Sequence, residues 1–250
     1  MPFLSKLIER AVAIQLKKYL LNNNLNELKQ SAYKCGHSTE SALIRVKNDI
    51  MMSIDQHKAV VLVLLDLSAA FDTVDHSVLF SRLKVMFGLS GNVLDWFKSY
   101  LGQRTQRVSV HDVLSDPICL LCGVPQGSVL GPLIFTLYTR PLGMIAQKYG
   151  VGYHFYADDT QLYVSLDLDN EPKFISSLEN LEHCIADIRQ WMNQNLLKLN
   201  DNKTDIIYMA SPYCIKSLIT PELHVGETCI TSSSDSVNKI LGLFLTSVLT

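Results

Sequence analysis

Apolar residues recur along this chain with two periods, one helical and one of strands, and they divide it into alternating elements. Leu4, Leu7, Ile8, Ala11 and Ile14 stand at helical spacing, which predicts a helix over residues 3 to 21 that stops at the breaker NNN, 22 to 24. Ser38 or Thr39 suits the cap of a second helix presenting Ala42, Leu43, Val46, Ile50 and Ile54. AVVLVLLDLS, from Ala59, is an uninterrupted valine-rich run, the pattern of a strand covered on both faces. Helices are predicted over 76 to 87 and 91 to 101, followed by QRVSV and PICLL as a hairpin pair. GVPQGSVLGP, 123 to 132, reads as a loop entering a helix that runs through Leu133, Phe135, Leu137 and Leu142. HFYADDTQLYVS, 154 to 165, is a strand pattern broken by Asp158 and Asp159. Phe174, Leu178, Leu181, Ile185, Ile188 and Met192 then trace a long helix to about Leu199, and DIIYMAS with two weaker apolar stretches finishes the chain as short strands. This order implies an α+β fold, helices against a mostly antiparallel sheet, in a single domain without a linker.

Composition narrows the class. With 250 residues, 48% of them hydrophobic and 18% charged, the chain can bury a substantial core and is not of disordered type. Its longest apolar run, Ala59 to Leu65, is about a third of the ~20 residues a membrane span needs. MPFLSKLIER mixes acids and bases and lacks the apolar core of a secretory signal, so the expectation is an intracellular chain, nuclear or cytoplasmic. Of six cysteines only Cys119 and Cys122 form a C-x-x-C, with no second pair to complete a zinc site, and they read as buried strand thiols.

A net charge of −2 does not announce a nucleic-acid binder, but its distribution is uneven. Residues 1 to 50 hold eight Lys or Arg against four acids, and residues 82 to 107 hold five against Asp95 alone. Residues 151 to 187 hold eight acids against Lys173. That pattern fits two basic walls around an acidic centre, and equally a set of solvated faces.

Three acids share a setting. Asp66 ends the buried strand, and Asp158 and Asp159 sit at the bend of a hairpin, so strands that are neighbours in one sheet would bring three carboxylates together. Like charges held close repel unless cations neutralise them. Oxygen donors without His or Cys select a hard ion, Mg²⁺, and two such ions would suit in-line phosphoryl displacement. An Asx turn and a strand-end cap are the plain alternatives. An EF-hand beginning at Asp167 fails because Pro172 falls where Gly is needed, and GVPQGSVLGP lacks the Lys of a Walker loop. His76, beside Asp72 and Asp75, reads as part of a helix start rather than as a base.

DLSAAFDTVDH (66 to 76), GVPQGSVLGPLIFTLY (123 to 138), YADDTQLY (156 to 163) and LKLNDNKT (197 to 204), in this order, resemble the reverse transcriptase of non-LTR (LINE-type) retrotransposons. PFLSKLIER, QSAYKCGHSTESAL and WFKSYLGQRTQRV resemble that family's connecting segments. The resemblance implies a right-hand polymerase with partial fingers over 1–58, a palm over 59–211 and short C-terminal strands over 212–250, the thumb being absent or vestigial. It makes Asp66, Asp158 and Asp159 the ligands of two Mg²⁺ ions, with Mn²⁺ as the alternative, and Lys203 the general acid for departing pyrophosphate. Phe71 matches the aromatic position that excludes a 2′-hydroxyl, and Leu67, Gln126 and Gly127 match positions that contact the incoming nucleotide. Lys98, Arg104 and Arg107 would track a nucleic-acid backbone.

The implied activity is RNA-directed DNA polymerisation from dNTPs on a DNA primer and an RNA template, with no membrane involved. A catalytically silent palm that binds nucleic acid, or a non-functional relic, is the alternative. Several departures accompany the match: Met1 stands where the family has an RPIS or RPVS segment, no endonuclease precedes it, and LGLFLTSVLT ends the chain before a thumb. The resemblance is therefore to a truncated domain. Ala32 and Lys34 also replace a usual Gly and Arg, which implies a weaker turn in that segment.

Overall fold

The valine-rich run Ala59–Leu65 forms the strand on which the sheet is built. The computed structural model describes residues 3–68, 70–200, 203–215, 223–225 and 228–230. Among them the order begins α1 (Phe3–Asn22), α2 (Thr39–Asp55), β1 (Ala59–Leu65), β2 (Leu67–Ser68), α3 (His76–Val85) and α4 (Gly91–Leu101). Four short strands follow, β3 (Thr105–Gln106), β4 (Ser109–Val110), β5 (Val113–Leu114) and β6 (Ile118–Cys119), then α5 (Gly131–Tyr138) and α6 (Pro141–Lys148). The chain continues through β7 (Gly152–Tyr156), β8 (Asp159–Leu166), α7 (Glu171–Gln194), β9 (Lys198–Leu199), β10 (Asp205–Met209), α8 (Pro212–Ile215), β11 (Leu223–Val225) and β12 (Thr228–Ile230). It divides into two compact units.

One unit comprises Lys29–Ser68, Pro141–Met192 and the described residues from Leu199 onward. Its sheet has the strand order β10-β1-β8-β7, and every pairing is antiparallel. β1 is buried on both faces, as its composition requires. On one face Val60 and Leu62 join Ile207, and Val46 and Ile50 of α2 complete the cluster, with Ile54, Leu64, Tyr163 and Met209 at its margin. Each such aliphatic side chain contributes about 1.5–3 kcal/mol by leaving water. Ser38 caps α2 through a reciprocal bond pattern with Ser41. Gly152 lies opposite Tyr163, where a Cβ would stand 2.4 Å from the ring, so only glycine lets that ring cross the edge strand. The opposite face carries Val61, Val63, Leu65, Leu162, Phe155, Ile206 and Tyr208, all buried.

The other unit holds the described residues up to Leu28, residues 70–140 and Asn193–Lys198. Here α1 departs from the expected pattern. It buries Glu9, Ala13, Leu16 and Leu20, while Leu4, Leu7, Ile8 and Ile14 face solvent at 55–69% exposure. The physical reason is Glu9, 1% exposed, whose carboxylate accepts hydrogen bonds from the Val129 and Leu130 amides at 2.6 and 3.2 Å and from the Ser5 hydroxyl at 3.2 Å. Those amides lie just ahead of α5, so the acid satisfies donors that a helix start leaves open.

The single helix expected through Leu142 is two, because Pro141 has no N–H and starts α6 afresh after α5 ends at Tyr138. Likewise α7 stops at Gln194 rather than near Leu199, and Leu196 takes a left-handed φ of 56° that ends helical propagation. QRVSV and PICLL do meet, but through an outer ladder, β3 with β6, while the tip closes on itself as β4 with β5. All four strands are exposed, and so are Cys119 and Cys122, which corrects their reading as buried thiols. Cys119 sits in an isolated two-stranded ladder that has no interior, and Cys122 lies beyond its end in an isolated bridge with Asp75. DIIYMAS forms β10, and the two weaker stretches pair as β11 and β12. LGLFLTSVLT lies outside the described residues. No described helix is long and apolar enough to cross a membrane.

Candidate active site

Strand register brings the acids together. β1 pairs with β8 up to Leu65 opposite Thr160, so Asp66, the residue after β1, comes near Asp159, the first residue of β8, close enough for the two charges to repel. Tyr156 pairs with Asp159 across β7 and β8, leaving Ala157 and Asp158 as a two-residue turn. Ala157 has φ 58° and Asp158 does not share the left-handed sign, the pattern of a type II′ hairpin turn. Asp158 therefore stands at the tip and Asp159 opens β8.

Asp66 is half-buried and attracts two partners from the fourth motif. The Lys203 ammonium lies 3.5 Å from its Oδ2, and Asn200 donates its backbone N–H to the Asp66 carbonyl at 2.9 Å and approaches Oδ2 at 3.5 Å. Partial withdrawal of the Asp159 carboxyl from water, then repulsion from Asp158 and Asp66, raises its pKa above the usual carboxylate value, with Lys203 pulling the other way. Burial, followed by the charge of Asp158 and by Tyr156, raises the Tyr33 phenol as well, which places that ring in the same neighbourhood. Among the described residues no three His, Cys, Asp or Glu side chains converge tightly enough to hold an ion as they stand. The donor set nonetheless suits a hard cation: it is all oxygen, it is like-charged, and it already draws an ammonium to one member.

The loop residues singled out from sequence gather in the helical unit. The Phe71 ring packs on Phe135 with centroids 4.9 Å apart, and Val124 donates to the Phe71 carbonyl at 2.9 Å. Gly123, at φ 85°, lies so close to the chain that a Cβ would meet the Asp72 carbonyl at 3.0 Å. Gln126 donates its Nε2 to the Asp72 carboxylate at 3.3 and 3.4 Å, and Gly127 takes φ 71° on the exposed side of the loop. Asp75 caps α3 through the Val78 amide at 2.8 Å, and His76, buried beside it, donates Nε2 to the Gly123 carbonyl at 2.8 Å. The helix-start reading thus holds for Asp75, while the imidazole additionally pins the loop.

Leu67 is buried, so its side chain serves the core. Lys98 pairs with Asp95 at 2.9 Å, Arg104 bonds the Tyr100 carbonyl at 2.9 Å and lies 5.1 Å from that ring, and Arg107 is exposed. Ala32, where a glycine is usual, keeps a negative φ; the left-handed positions of its segment are Tyr33 and Gly36, so the replacement does not strain that turn.

Three contributors had no signature in the sequence pattern. Glu9 looked like one more charge on an amphipathic helix. Gln30 and His154 are single polar residues beside apolar ones, and both are buried, at 3% and 1% exposure. His154 meets the Ser31 hydroxyl at 2.9 Å. Burial first, then the charges of Arg45, Lys29 and Lys34 against that of Asp49, hold its pKa down to about 4. The unfolded chain, with an ordinary value near 6.5, then binds more protons than the folded one between pH 6.5 and 4. Stability should be intact above about pH 6.5 and fall by on the order of 3 kcal/mol as the pH drops through that window. Urea unfolding at several pH values checks this, and His154→Gln should flatten the slope; an unchanged slope would show that other groups set it.

The family model described as reverse transcriptase (RNA-dependent DNA polymerase) matches residues 1–242. The probable RNA-directed DNA polymerase from transposon BS of Drosophila melanogaster is 32% identical over 206 residues, 80% of this chain and 22% of its own length. The probable RNA-directed DNA polymerase from transposon X-element of the same organism is 33% identical over 142 residues, 57% of this chain and 15% of its own. The chain thus spans less than a quarter of these curated relatives. Apo telomerase from Candida tropicalis, truncated from its C-terminal domain, superposes with a TM-score of 0.60 at 15% identity over 82% of this chain and 41% of that one. That likeness shows a shared fold, in agreement with the α+β class expected from the order of elements and with the palm that the resemblance implies.

Proposed function

We propose, from the premise that this chain belongs to the reverse transcriptase (RNA-dependent DNA polymerase) family, that it performs RNA-directed DNA polymerisation. The observation that supports this most is the register that brings Asp66 near the Asp158–Asp159 turn. In this reading residues 1–58 supply partial fingers and 59–211 the palm. The substrates are a dNTP, a DNA primer and an RNA template.

Asp66, Asp158 and Asp159 would hold two Mg²⁺ ions, or Mn²⁺ in their place. When bound, these supply charge neutralisation for the triphosphate and a lowered pKa for the primer hydroxyl. The primer 3′-oxygen attacks the α-phosphorus and gives its proton to solvent water, the bond from the α-phosphorus to the α,β-bridging oxygen breaks, and that oxygen leaves with pyrophosphate. The three carboxylates hold the negative field that makes the site demand cations. Lys203, already beside Asp66, supplies an ammonium proton to the leaving pyrophosphate. Phe71, its ring fixed against Phe135, excludes a 2′-hydroxyl, and Gln126 and Gly127 present the loop to the base and sugar. Lys98, Arg104 and Arg107 contact phosphates of the template and primer.

A second reading, a silent palm that binds nucleic acid, draws on the Lys203 ammonium that already sits at Asp66. Purified protein with Mg²⁺, a DNA primer and an RNA template separates the two. The expected result is template-dependent extension that EDTA stops. RNA binding without added nucleotides in either Mg²⁺ or Mn²⁺ would favour the silent palm and end the polymerase assignment.

A further inference from the structure

β7 is the edge strand of the sheet, yet its outer side is not open. The segment Lys29–Ser31 lies along it as a parallel bridge: Phe155 donates to the Lys29 carbonyl at 2.8 Å, and Ser31 donates to the Phe155 carbonyl at 3.0 Å. Between those bonds the Gln30 side chain reaches the turn that bears the acids. Its Nε2 donates to the Ala157 carbonyl at 3.2 Å, and its Oε1 accepts from the Ala157 amide at 3.2 Å and from the Ala32 amide at 2.9 Å. Both polar groups of one backbone residue are thereby held by one amide that is 3% exposed and 127 residues away in sequence.

Ala157 needs such a hold. It adopts φ 58°, a conformation in which a Cβ crowds the backbone and for which a type II′ turn normally uses glycine. Asp158 and Asp159 follow directly, so a relaxed Ala157 would swing both carboxylates. We infer that Gln30 is a positioning residue for nucleotidyl transfer: its buried amide clamps Ala157 in the left-handed conformation and so sets the aim of Asp158 and Asp159. This rests on the polymerase reading above.

The test uses the full chain. Gln30→Met, similar in length and apolar, keeps the packing and removes the clamp; Gln30→Ala is the more drastic companion. Either should lower kcat for single-nucleotide addition by about 10- to 100-fold, with KM for the dNTP changed by less than about threefold, and should speed hydrogen–deuterium exchange across residues 153–160. Adding Ala157→Gly, which removes the Cβ penalty at positive φ, should recover most of the lost kcat, an outcome that general loosening of the unit would not produce. Unchanged kcat and exchange in Gln30→Met, or a loss confined to KM, overturns the inference, as does a double variant no better than the single one. The polymerase reading fails separately: wild-type protein that extends no primer refutes it, while faster exchange at 153–160 in Gln30→Met would still establish the clamp.

Discussion

Asp158→Asn is expected to abolish primer extension, by about a thousandfold or more, while leaving the chain folded. The substitution keeps the shape and hydrogen-bonding capacity of a side chain at the tip of a two-residue turn, and removes one unit of the charge that the site would use to hold cations. Its effect on stability should run the opposite way. Repulsion from Asp158 helps to raise the Asp159 pKa, so the asparagine variant relieves a like-charge contact and should melt at the same temperature or slightly higher. Parallel extension assays and thermal melts read the two effects. Full extension by the variant would sink the catalytic assignment, and a large drop in melting temperature would mean that Asp158 is needed for the turn itself.

Glu9→Ala should lower the free energy of unfolding by about 3 kcal/mol, because it leaves the Val129 and Leu130 amides without their charged acceptor in a buried setting. Glu9→Gln keeps one acceptor oxygen and should lose about half as much. The consequence reaches the loop that holds Gln126, since Val129 and Leu130 are that loop's last residues before α5. Urea denaturation measures the stability, and hydrogen exchange over residues 123–131 reports on the loop. Equal stability of the alanine variant and the parent would show that the amides find other acceptors and that Glu9 is not an anchor.

These two residues mark the limits of legibility from opposite sides. Asp158 and Asp159 were conspicuous because two acids interrupt a strand pattern, a local contradiction that only a special environment resolves. Glu9 contradicted nothing locally. Its helix was correctly placed from apolar spacing, yet Leu4, Leu7, Ile8 and Ile14, which revealed it, face solvent, and the buried stripe includes the acid. Periodicity establishes that a helix exists; which stripe it buries depends on donors supplied 120 residues later. Cys119 and Cys122 erred in the same way, since a strand pattern cannot say whether a second layer covers the strand.

The sequence alone determined the alternation of helices and strands, the buried character of β1, a cap for α2 at Ser38 or Thr39, a helix start around Asp75 and His76, and the selection of the three acids as candidates, because each follows from local spacing or a local clash of propensity. Only the tertiary structure decided the register that brings Asp66 near Asp159, the ammonium of Lys203 and the amide of Asn200 at Asp66, and the hold of Gln30 on Ala157. Those contacts join residues more than ninety positions apart. They exist because strand order and backbone hydrogen bonding fold distant segments onto one edge, which no periodicity within a segment encodes.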